Sequence, residues 1–158
     1  MGNKAIQATI GGETIENKKI NLLDKFFEIP TYQRLYEWES TQIEELLNDI
    51  KKACDEGKEQ YFIGNITTSK KGDSFVLIDG QQRLTTLWFI GFYLASKCCD
   101  EWKGFIAQGE SLRIAMPIRD NEEKALIELA NNIVGKENLA QSLLGKIFIK
   151  IFLMRLSV

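Results

Sequence analysis

Between the apolar run Phe75-Val76-Leu77-Ile78 and the apolar-periodic run from Leu87 to Ala95 stands Asp79-Gly80-Gln81-Gln82-Arg83-Leu84-Thr85-Thr86. The first run reads as a short buried strand and the second as a helix. The chain must therefore pass from strand to helix through a polar turn. Backbone N–H groups at a helix start lack intrahelical partners and can hold an anion. Gly80 allows a tight turn and close approach of a ligand. Arg83, in the first helical turn, can grip a phosphate bidentately. Asp79 can hold a magnesium ion that bridges the same phosphates. A capped helix with a surface arginine is the plainer alternative. Adjacent glutamines serve it poorly, because Ser, Thr, Asp and Asn cap better. The turn reads as a nucleotide site, with Thr85 and Thr86 as further candidate contacts.

Composition narrows the chemistry. The chain has 158 residues, enough for one domain or one domain and part of another. Its formal net charge is -2 and its pI about 5.4, which is not the electrostatic footprint of a free-standing DNA binder. Histidine is absent. That excludes an HNH nuclease, a histidine-base hydrolase and a histidine-ligated metal site within this chain. Cys54 and the adjacent pair Cys98 and Cys99 suit neither a disulfide framework nor CxxC metal spacing. All three fall in expected helices, so they read as core thiols of a reducing cytosol. No signal core, myristoylation pattern or membrane-length apolar run is present, and the expectation is a cytoplasmic protein with no membrane partner.

Along the chain, short strands are expected at 5–10 and 13–16, and a brief helix capped by Asn21 through Phe27. Pro30 biases Ile29 toward β geometry, so 28–34 should be extended. Thr41 and Glu44 form a capping-box pattern. Ile43, Leu46, Leu47, Ile50, Ala53 and Cys54 then share one helical face, with Gly57 as a stop. A strand over 61–69 should pair with 74–78 across the Lys70-Lys71-Gly72-Asp73 turn. Helix 82–99 is apolar on most sides and should be buried on most sides. Another helical turn is expected within 100–109, a strand over 111–118, and a helix over 122–134 capped by Asn121. The segment 137–153 carries Leu139, Leu143, Leu144, Ile147, Phe148, Ile151 and Phe152 on one broad helical face. Exposing so many side chains is costly, each being worth about 1.5–3 kcal/mol on burial. The stripe is expected to fold back, to pair with another copy as a homodimer, or to join a larger helical region cut short here.

Three blocks carry a resemblance: Ile29 to Trp38, Tyr61 to Ile66, and Val76 to Leu87. In order and spacing they resemble the N-terminal domain of GmrSD-type, modification-dependent restriction endonucleases, a branch of the ParB/sulfiredoxin-like fold. The resemblance covers roughly the first two thirds of the chain. It implies an α+β fold, a small mixed sheet flanked by helices over 1–118, and a helical extension over 119–158. It further implies magnesium-dependent hydrolysis of a nucleoside triphosphate that licenses DNA cleavage by a separate HNH nuclease domain. DNA would then be engaged only with a C-terminal region beyond this chain or a partner nuclease. Gly80, Gln81, Gln82 and Arg83 align with the glycine-to-arginine phosphate motif of ParB proteins. Those proteins carry an acidic residue where Gln81 stands, and sulfiredoxin a reactive cysteine. Sulfinic-acid reduction is excluded, because it needs the thiol. On this reading Asp79 holds the metal or orients Arg83, and Gln81 or Gln82 places the attacking water.

Gln33 and Arg34, in the Tyr32-Gln33-Arg34 block, resemble the Gln-Pro-Arg element that lies beside the nucleotide in ParB proteins. Arg34 either meets the phosphates or pairs with Glu37 or Glu39 at the surface. Trp38 reads as core, whereas Tyr36 is open to stacking on a base. Gly64 either admits close backbone approach or shapes a bulge, and Asn65 can bond a base or ribose. Lys70, Lys71, Lys97 and Lys103 read as solvated charges. The rival from another functional class is a non-catalytic module that binds modified DNA or a partner subunit.

Overall fold

The computed structural model describes residue 8 and residues 22–58, 60–97, 102–109, 111–116 and 120–134. After a 3-10 turn at Leu22–Asp24, the elements are β1 (Phe26–Glu28), α1 (Ser40–Asp55), β2 (Thr67–Lys71), β3 (Ser74–Asp79) and α2 (Gln81–Ser96). There follow α3 (Lys103–Ile106), β4 (Ala107–Gln108), β5 (Ser111–Leu112), β6 (Ile114–Ala115) and α4 (Asp120–Val134). One mixed sheet has the order β2-β3-β1-β6, and β4 and β5 form a second, two-stranded sheet. β2 and β3 form an antiparallel hairpin, while β1 lies parallel to both β3 and β6. The architecture is α+β.

Register explains where the core sits. Phe27 stands opposite Phe75 on one side and Ile114 on the other, and Leu77 follows Phe75 two residues on. A period of two puts these four on the same face. They close against Leu84, Leu87, Trp88 and Phe92 of α2, Phe105 and Ile106 of α3, and Leu126, Leu129, Ala130 and Ile133 of α4. The expectation for α2 holds: its middle is buried on nearly every side, and the fully buried Trp88 donates its indole N–H to the Ile106 carbonyl at 3.2 Å. Among the described residues α4 thus shares this core.

Several expectations are corrected. The segment after Asn21 is a 3-10 turn and then β1, not a helix, because Phe27 and Ile29 donate to the carbonyls of Arg113 and Ala115. The capping box of α1 joins Glu39 and Gln42 rather than Thr41 and Glu44. The paired strand begins at Thr67, not at Tyr61. The strand expected over 111–118 is broken at Arg113, whose buried guanidinium lies 4.5 Å from the Phe26 ring centroid and donates to the carbonyls of Gly104 and Asp24 at 2.7 and 3.2 Å. Burial lowers its pKa from the usual guanidinium value, opposed by the nearby Asp24. Cys54 is exposed rather than core.

The remaining elements lie close to expectation. Gly57 ends α1 as expected: its N–H bonds the Cys54 carbonyl and the Lys58 N–H the Ala53 carbonyl. Leu46 and Ala53 are buried, whereas Leu47 of the same expected face is exposed. Trp38 is partly buried against the core. Lys71 is engaged with Glu28 at 2.9 Å rather than simply solvated. The strands expected at 5–10 (residue 8 apart) and 13–16, Cys98, Cys99 and the 137–153 stripe lie outside the described residues. Among the described residues no helix is long and apolar enough to cross a membrane.

Candidate functional site

The polar turn sits between the end of β3 and the first turn of α2. Gly80 is the N-cap residue of α2, at φ +85°, and no side chain caps the helix. Its first backbone bond runs from the Leu84 N–H to the Gly80 carbonyl. A side chain at position 80 would strike the Asn65 carbonyl at 2.9 Å and Ile66 Cα at 3.2 Å. Only glycine combines that left-handed backbone with so close a neighbour. Asp79 is exposed at the strand end beside it.

Arg83 has a seat of its own. Its Nη1 donates to the Asn65 carbonyl at 3.1 Å. Gly64, at φ +117°, lies so close that an added Cβ would stand 2.7 Å from Nη1 and 2.8 Å from Cζ. What approaches the Gly64 backbone is this guanidinium, and residues 61–66 stay outside the paired strand, which begins at Thr67. Arg83 remains partly exposed, and it makes no ion pair with Asp79. Tyr61 stands within its electrostatic reach and donates its hydroxyl to Asp49 of α1 at 3.1 Å. Partial desolvation, then that hydrogen bond, push the Tyr61 phenol above its usual pKa, and Arg83 pulls the other way.

On the other side of α2, the glutamines stitch the 33–38 segment to the core. Gln81 Nε2 donates to the Arg34 carbonyl at 3.0 Å, and Gln82 Nε2 to the Leu35 carbonyl at 2.8 Å. Gln82 Oε1 accepts from the N–H groups of Glu37 and Trp38, at 2.7 and 3.4 Å. Gln33 Nε2 donates to the Ile78 carbonyl at 2.8 Å. Tyr36 and Thr86 complete the seam: Thr86 Oγ1 donates to the Gln82 carbonyl at 2.8 Å, so the Tyr36 hydroxyl, 2.7 Å away, donates to Thr86. The Tyr36 ring packs edge-on against Phe89. Gln81 Oε1 and Thr85 Oγ1 are buried without a hydrogen-bond partner, which in a native core calls for an explanation.

The expected site residues thus divide. Asp79, Gly80, Gln81 and Arg83 gather at the start of α2, with Gly64 and the Asn65 carbonyl beneath Arg83. Thr85 and Thr86 are buried within α2. The Arg34 guanidinium is exposed and paired with Glu37 at 3.1 Å, the surface alternative foreseen for it. The glutamine stitching was not anticipated. Its only sequence signal is the adjacent pair Gln81-Gln82, since each amide offers the donor and the acceptor that a backbone segment needs.

Residues 12–151 match the GmrSD restriction endonuclease N-terminal domain. The chain belongs to that family. No curated protein matches the sequence. The three blocks of this GmrSD N-terminal domain, far apart in sequence, are those that the glutamines, Gly80 and Arg83 bring together. Membership gives the domain a role in restriction and phage defence.

Proposed function

We propose that the domain binds a nucleoside triphosphate at the start of α2 and, within the complete restriction system, hydrolyses it to license DNA cleavage by a separate HNH nuclease, whose histidines this chain does not contain. The observation that carries this reading is Arg83, partly exposed, seated on Gly64 and Asn65 at a helix start that no side chain caps. Unpaired N–H groups and a held guanidinium both favour phosphate oxygens. The near-neutral charge suits one nucleotide better than a nucleic-acid strand, which would want a cationic track.

Magnesium fits as an ion that arrives with the triphosphate. Among the described residues no three His, Cys, Asp or Glu side chains form a metal-ligating cluster. Magnesium, however, is commonly held by one or two carboxylates together with substrate phosphates, and Asp79 is the exposed carboxylate at the turn. The ion would neutralise phosphate charge there. Both ends of the Gln82 amide are committed to the 35–38 backbone, so placing water falls to Gln81, whose buried Oε1 has no partner and would have to open to the ligand. Arg34 would leave Glu37 for the phosphates, a small cost because an exposed pair is worth at most about 1 kcal/mol.

Calorimetric titration with magnesium and a nucleoside triphosphate tests the reading. Arg83→Ala removes a charge-assisted contact worth about 1.5–3 kcal/mol and should weaken binding by about ten- to a hundredfold. Equal affinities of wild type and variant would contradict it.

A further inference from the structure

We propose that Tyr32 and Phe62 form a base-stacking subsite beside the phosphate turn, so that the domain takes nucleosides carrying polyphosphate rather than bare polyphosphate. This rests on the phosphate reading above. Phe62 is 78% exposed and Tyr32 73%, and Ile78 is 49% exposed. Single exposed apolar residues are ordinary. These, however, lie on the strand end and the two segments that converge on one helix start. Gln33, next to Tyr32, is tied to the carbonyl of Ile78, one residue before Asp79. Asn65, three residues after Phe62, lies under Arg83 and against Gly80.

The two aromatics are exposed yet anchored. Tyr32 precedes a glutamine bonded to β3, and Phe62 follows a tyrosine bonded to Asp49. A large aromatic on a fixed backbone loses little freedom when a flat ring lies on it, and stacking tolerates any base because every base has a π-face. Tyr36, the stacking candidate in the sequence, is unsuited: its hydroxyl bonds Thr86 and its ring packs on Phe89.

The test is calorimetry on the 158-residue chain, with magnesium throughout. The probes are the four common nucleoside triphosphates and inorganic tripolyphosphate, and the proteins are wild type, Tyr32→Ala/Phe62→Ala and Arg83→Ala. Circular dichroism checks that each variant is folded. The wild type should bind at least one nucleoside triphosphate more tightly than tripolyphosphate. The aromatic double variant should lose about tenfold or more toward that nucleotide and nothing toward tripolyphosphate, while Arg83→Ala weakens both. Equal wild-type affinity for the two kinds of probe overturns the subsite, as does an equal loss for both or no loss in the aromatic variant. If those failures come with binding that Arg83→Ala still weakens, the phosphate reading survives. Probes that are not bound at all, or bound regardless of Arg83, overturn both.

Discussion

Arg83 and Gly64 act as one unit. An alanine at 64 would adopt φ +117° only under strain and would displace the guanidinium, whose nearest atoms lie 2.7 and 2.8 Å from the new Cβ. Backbone strain of this kind costs about 1–3 kcal/mol and should lower stability whether or not Arg83 is present. Displacement of the guanidinium should appear in ligand affinity, and only through Arg83. A double-mutant cycle separates the two effects. Gly64→Ala should weaken triphosphate binding in the wild type, and the Gly64→Ala/Arg83→Ala protein should bind no worse than Arg83→Ala alone. Fully additive losses would show that Gly64 meets the ligand itself. The sequence marked Gly64 as either a point of close approach or a bulge. It could not say what approaches, because Arg83 reaches residue 64 only once β3 and α2 have folded.

At the scale of elements, the 33–38 segment and α2 form a single piece held by amides. Gln82→Ala would leave the Leu35 carbonyl and the Glu37 and Trp38 N–H groups without their buried partner, at a cost of about 1–3 kcal/mol. Hydrogen exchange should accelerate at Glu37 and Trp38 well before it does in the middle of α2. Unchanged protection at Glu37 would mean that the stitching contributes nothing. Legibility at this scale follows locality. The β2–β3 hairpin, the all-round apolar α2 and the Gly57 stop rest on neighbours in the chain, and the sequence carries them. Phe26 and Phe27 read from sequence as the end of a helix, with Glu28 already extended, because the partners of β1, residues 74–76 and 113–115, are distant and decide its state. Arg113 falls inside the strand expected over 111–118. Its burial follows from carbonyls at Gly104 and Asp24 that converge only in the folded chain.

Among the described residues, one core joins the mixed sheet to α2, α3 and α4, and the polar turn opens from its edge where β3 ends. The family match spans residues 12 to 151 and so covers the same elements. On the proposed reading, phosphate is held by the first turn of α2. Backbone amide NMR tests it most directly, with titration of inorganic tripolyphosphate and magnesium into the 158-residue chain. The largest shifts should fall on the N–H groups of Gly80, Gln81, Gln82 and Arg83, with the Arg83 side chain responding alongside. Shifts centred elsewhere, or none at a saturating concentration of ligand, would contradict the account.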